Sequence, residues 1–152
     1  MPDARTRSLR NGRRRAAVKV AESQVESQPA YRYFSGAGAD GEPTWSAEPG
    51  AAKTVVDDTV GELSVVWNDH LPRWLMTYSN GGNGDTSLRE GSTPWGPWSD
   101  AMTLVAASDV PGLYAPYLSP LAAANSGGTI YFTLSVWDPY NVYWYRADLV
   151  AS

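Results

Sequence analysis

The 152-residue sequence has no cysteine, one histidine and two phenylalanines. Without cysteine neither a disulfide framework nor a thiolate metal site can form. His70, in the hairpin turn "DHLP", has no partner histidine, so a metal site built on it is excluded, and no cofactor motif is present. No apolar run reaches the length of a membrane span. "RRRAAVKVAES" follows a charged segment, but the apolar core of a signal peptide is missing after it, so no export address is legible and localisation stays open. Basic charge is scarce outside the first residues. Seven of the twelve Lys and Arg lie at or before Lys19, so residues 20–152 carry five basic and fifteen acidic side chains, a net of −10. Such a body repels nucleic acid and anionic lipid, which argues against both as partners. Residues 1–17 are expected to be a disordered basic leader, ahead of a domain over 18–152.

What the sequence does have is tryptophan and tyrosine, seven and nine. Both carry a polar tip on an apolar body, which suits cross-strand packing and equally a wet, greasy binding cleft. Alternating stretches read as strands: "ELSVVWN", "RWLMTYS", "TSLRE", "AMTLVA", "APYLSPL", "TIYFTLSVW" and "NVYWYRADL", separated by turns at "DHLP", "GGNGD", "NSGG" and "DPYN". No helix is expected beyond residue 31, and at most a helical turn within 15–28. "WLMTYS" and "IYFTLS" align at an offset of 56 residues, with Thr77 on Thr133 and Ser79 on Ser135. The same offset lays "TSLRE" on "VYWYR". Repeated multi-stranded units of this size point to blades of a β-propeller. The fold class is therefore all-β, a partial propeller of antiparallel sheets. It has two units, near 54–106 and 112–150, and part of a third in residues 31–46. An ordinary antiparallel sandwich is the alternative. A propeller closes with about four or more blades, so this chain reads as the C-terminal part of something larger.

"YRYFSG", "GELSVVWNDHLPRWLMTYSN", "STPWGPWSD", "YAPYLSP" and "TLSVWDPYNVYWYRADL" together resemble the domain of unknown function 4185 over about residues 18–149. The resemblance covers the C-terminal part of that family's domain. It implies a five-bladed propeller related to glycoside hydrolases, in a bacterial and mostly secreted family. Some members are endo-D-arabinanases of mycobacterial arabinan. It also implies a histidine, in many members, where this chain has Ser119. "STPWGPW" is similar to the turn boxes of sialidase-like propellers, with Pro94 in the place of their Asp. On that reading Trp98 packs between blades and Trp95 covers the turn.

Glycoside hydrolysis needs a pair of carboxylates across the scissile bond. Asp57, Asp58 and Glu62 are the candidates here. Neighbours on a strand point to opposite faces, so at most one of Asp57 and Asp58 faces a cavity with Glu62. Glu62 opens an inner strand and is placed to accept sugar hydroxyls or to pair with an arginine. No catalytic residue is assigned, because in related five-bladed hydrolases the acidic catalysts come mostly from early blades. The substrate-binding candidates are Glu62, Asp58, Tyr114, Tyr117, Ser119, Trp137, Tyr140 and Asn141. Trp137 and Tyr140 in "WDPYN" are read either as ligand contacts or as a hairpin staple. "GGNGDT" occurs once and reads as a tight turn rather than a calcium repeat. The expected partner is a polysaccharide or oligosaccharide of the bacterial cell wall, and exposed strand edges are expected to favour self-association. The chain alone is expected to be inactive. The alternative function is a non-catalytic sugar-binding or protein-interaction module.

Overall fold

The computed structural model describes residues 15–150. Ten strands run in chain order: β1 Val18–Lys19, β2 Arg32–Ala37, β3 Pro43–Ser46, β4 Val60–Asn68, β5 Arg73–Asn80, β6 Thr86–Gly91, β7 Met102–Val105, β8 Leu113–Ala124, β9 Thr129–Val136 and β10 Asn141–Asp148. The described helical pieces are single 3₁₀ turns, two of them at Glu22–Gln24 and Gln28–Ala30. The fold is all-β. Three antiparallel sheets form, in the orders β1-β2-β3, β4-β5-β6-β7 and β10-β9-β8, and none closes into a barrel.

The hairpin read from "WN…RWLMTY" forms, and its register runs from Leu63 opposite Tyr78 to Trp67 opposite Trp74. The offset of 56 carries β4, β5 and β6 onto β8, β9 and β10, strand for strand. Alternation explains how the middle sheet is covered on both faces. Leu75, with Leu88 of the next strand, packs with Leu118, Ile130, Phe132 and Leu134 of the last sheet in one core. Met76 and Tyr78 point the other way, into a second core with Val56, Val60 and Trp98. Fully burying side chains of this size contributes about 1.5–3 kcal/mol each.

Two polar contacts lock the middle and last sheets. Ser64 Oγ accepts the Leu118 N–H at 2.7 Å and shares a hydrogen bond with Thr77 Oγ1 at 2.9 Å. Buried Asn68 donates from Nδ2 to the Gly127 carbonyl at 2.8 Å and accepts the Leu71 N–H at 2.9 Å. Both contacts ascend the two segments together, so β4 and β8 run side by side in the same direction, and their first residues lie at the same end.

The tryptophans of "STPWGPWSD" take separate tasks. Trp98 lies over Gly91, where a Cβ would meet its ring at 2.9 Å, and packs into the second core. Trp95 sits edge-on to Trp45 of β3 at 5.5 Å, so it reaches the first sheet. Of residues 1–17, the segment read as a leader, 1–14 lie outside the described residues. Arg15 and Ala17 are tied into the sheets. Arg15 bridges to Val56 and donates to the Gly61 carbonyl at 2.7 Å, and the Ala17 carbonyl accepts the Phe34 N–H. His70 is exposed in its hairpin turn, as a lone solvated histidine should be.

Candidate functional site

The candidate residues fall into two groups at the shared end of β4 and β8. The first group surrounds Asp58, which precedes β4. Its Oδ2 accepts the Tyr78 hydroxyl at 2.6 Å, Arg89 Nη2 at 3.1 Å and Asn80 Nδ2 at 3.4 Å, while Oδ1 accepts the Thr59 N–H at 2.7 Å. Arg89 also donates to the Tyr78 oxygen at 3.0 Å and to the Ser99 carbonyl at 2.5 Å. Burial pushes the Asp58 carboxyl up, but the hydrogen bonds from Tyr78, Thr59 and Arg89 together hold it below the ordinary aspartate value. Burial, then the bond to Asp58, raises the Tyr78 phenol. An ionised, saturated carboxylate of this kind holds the start of β4 to β5 and β6. It has little capacity left to move a proton.

Glu62 lies on β4 where the pairing with β5 shifts between Val60 and Leu63, and it is exposed. Bulges of this kind re-aim side chains. Of these carboxylates Asp58 is the one seen paired with Arg89, at 3.1 Å. Asp57 is exposed beside it.

The second group is aromatic. Tyr114 at the start of β8 meets Trp137 edge-on at 5.5 Å, and Trp137 meets Tyr140 at 5.0 Å. Gly112 takes a left-handed backbone at φ +81°, which glycine adopts without strain, and its carbonyl accepts the Trp137 N–H at 2.9 Å. Trp137 and Tyr140 are 60% and 66% exposed. Tyr140 takes a left-handed backbone at φ +64°, a conformation that is strained for a bulky side chain. Asn141 follows, exposed, with Nδ2 3.4 Å from the Tyr143 hydroxyl.

Tyr114 pairs with Ser135 and Tyr117 with Thr133, across a bulge in β8. Cross-strand partners share a face, so both tyrosines stand on the outer face of the last sheet with those two hydroxyls. Trp144 is opposite Thr133 on the same face, stacked on Tyr131 with centroids 6.1 Å apart. Ser119 Oγ accepts the Leu121 N–H at 3.3 Å. The structure therefore joins Tyr114, Trp137 and Tyr140 directly, sets Tyr117 on the adjoining face, and gives Asp58 a separate, closed network.

The residues missed in the sequence are Tyr78, Asn80 and Arg89. One signal is present: Arg89 is the single basic residue of β6, TSLREG, and an arginine buried in a strand needs an acidic partner. Asp85 of "GGNGD" lies in the tight turn that the sequence predicts. Its carboxylate also accepts the Ala107 N–H at 2.9 Å and the Thr103 hydroxyl at 3.1 Å, which ties that turn to β7 and the residues after it.

The family model for the domain of unknown function 4185 matches residues 6–146. The chain belongs to that family. The match begins ahead of the quoted motifs and takes in all of β1–β9 and most of β10. No curated protein matches the sequence.

Proposed function

We propose that this member of the 4185 family binds carbohydrate, as the sugar-holding part of a glycoside-hydrolase-like propeller acting on bacterial cell-wall polysaccharide such as arabinan. The observation that carries this reading is the run of contacting rings Tyr114, Trp137 and Tyr140, two of them mostly exposed, beside a face bearing Tyr117, Thr133 and Ser135. Aromatic faces pack on the C–H surface of a sugar ring, and flanking hydroxyls and Asn141 exchange hydrogen bonds with its hydroxyls.

Binding is favoured over cleavage by the state of the carboxylates. Hydrolysis needs one acid and one base or nucleophile facing the same bond. Asp58 is committed to Arg89 and Tyr78, which takes one of the candidate carboxylates out of such a pair. The test is a titration of the chain with arabinan oligosaccharides followed by tryptophan fluorescence. Trp137→Ala should weaken binding about tenfold, the equivalent of one aromatic contact. Absence of any response to oligosaccharide, or full affinity in Trp137→Ala, would sink the reading. Release of reducing ends by the wild-type chain would show that cleavage survives.

A second reading has its own observation. The outer face of the last sheet occupies the same register as the face of the middle sheet that carries Leu75 and Thr77, which β8 covers. On that reading the rings are an interaction surface, and sugar leaves their fluorescence unchanged.

A further inference from the structure

We infer that β10 is a docking edge for a second copy of this chain, paired antiparallel to its own β10. The inference does not depend on sugar binding.

The middle sheet has four strands and the last has three. In the middle sheet the fourth strand, β7, pairs with Thr86, Ser87 and Leu88 of β6, which are between 1% and 5% exposed. The offset of 56 carries those residues onto Val142, Tyr143 and Trp144 of β10, which are between 42% and 66% exposed. Among the described residues nothing pairs with the far side of β10. The repeat therefore shows what such an edge accepts: an antiparallel strand.

The other sheet edges are blunted. β1 has two residues, and β3 and β7 have four each, β3 opening on Pro43. The pairing of β4 with β5 shifts register near its start, and β8 carries Pro116, Pro120 and two register shifts. Short strands, prolines and bulges are the usual guards against edge pairing. β10 has none of them. It pairs with β9 over eight consecutive residues in unbroken register, and its charges are confined to Arg146 and Asp148 at one end.

A second copy fits because an antiparallel edge complements itself about a two-fold axis. Pairing centred on Tyr145 sets Arg146 of each copy opposite Trp144 of the other, a cation beside an aromatic ring, made twice. It also covers Val142 and Tyr143, which a solvent-facing edge leaves wet.

The test is light scattering of the whole chain across a dilution series, with amide hydrogen exchange on the same samples. The expected result is a dimer that dissociates on dilution, with slowed exchange at Val142–Trp144 only in the concentrated samples. The variant Val142→Lys/Trp144→Lys should be monomeric at every concentration with wild-type circular dichroism. A wild-type monomer throughout, or a dimer whose protection lies elsewhere, overturns the inference. So does a folded lysine variant that still dimerises. If that variant does not fold, the exchange measured on the wild type decides. The sugar titration reads Trp137 and is silent on mass, so the two proposals can fail separately.

Discussion

The middle and last sheets are built on one register, yet they meet different surroundings. The middle sheet is packed on both faces and has a fourth strand. The last sheet is packed on one face and has none. The positions diverge accordingly. Leu75 in the middle sheet is buried, and its equivalent Tyr131 stacks on Trp144 at the outer surface. Thr86, Ser87 and Leu88 are enclosed, and Val142, Tyr143 and Trp144 are not. Position in a repeat fixes which face a residue takes. What lies against that face decides whether the residue is core, and exposed aromatics gather where nothing does.

The largest expected effect tests this contrast directly. Leu75→Ala should cost about 2–5 kcal/mol in urea unfolding, because a cavity opens in a packed core. Tyr131→Ala, at the matching position, should cost about 1 kcal/mol or less, since its ring lies on the outer face. Equal losses would mean that the outer face is covered in solution and that the contrast is false.

Next comes the network that closes the middle sheet. The side chains of Arg89 and Asp58 are 15% and 22% exposed. Arg89→Met should cost about 2–3 kcal/mol, because the Asp58 carboxylate loses a charged partner and the Tyr78 hydroxyl a donor. Asp58→Asn together with Arg89→Met should recover part of that loss, since no uncompensated charge then remains. A double variant less stable than either single would argue that the pair is not the unit.

The same network sets an acid limit. Asp58 has a folded value below the ordinary 3.8, so it binds a proton less readily folded than unfolded. Its contribution is fully present above the unfolded value and is lost as pH falls through the folded one. The urea midpoint of the wild type should therefore drop below pH ~4 more steeply than that of Asp58→Asn. Asp148 is also held low, by the Thr129 hydroxyl and then by Arg146, but it is common to both proteins. Parallel curves would remove Asp58 as the cause.

Much of this molecule was legible in the sequence because strand period and turn residues are local properties. Alternation in "ELSVVWN" and "RWLMTYS" marks the two strands of the β4–β5 hairpin, and a repeated "T-x-S" marks the correspondence of β5 and β9. Individual site contacts were less legible because they join distant elements. Asp58 meets Arg89 across 31 positions and Asn68 meets Gly127 across 59, and no local pattern reports such pairs. Glu62 drew attention by opening a strand, whereas the arginine went to the carboxylate just ahead of that strand. Tyr114 meets Trp137 across 23 positions, beside the left-handed backbone of Gly112, and no local pattern reports that pair either.

The smallest expected effect on stability belongs to the open sheet and separates binding from packing. Trp137 touches Tyr114 and Tyr140, but most of its surface faces solvent. If it is only a staple for the β9–β10 turn, truncation should loosen that turn and lower stability. If it is a sugar platform, truncation should leave the fold nearly unchanged and remove the response to oligosaccharide. The exposed position favours the second outcome, so Trp137→Ala should lie within about 0.5 kcal/mol of wild type in urea unfolding. Tyr140→Gly gives the complementary measure. It removes one ring and relieves a left-handed backbone at φ +64°, so it should stabilise the turn slightly while weakening sugar binding. A loss of stability in both variants, with oligosaccharide affinity unchanged, would identify the ring cluster as a staple and place the open sheet's aromatics with its packing.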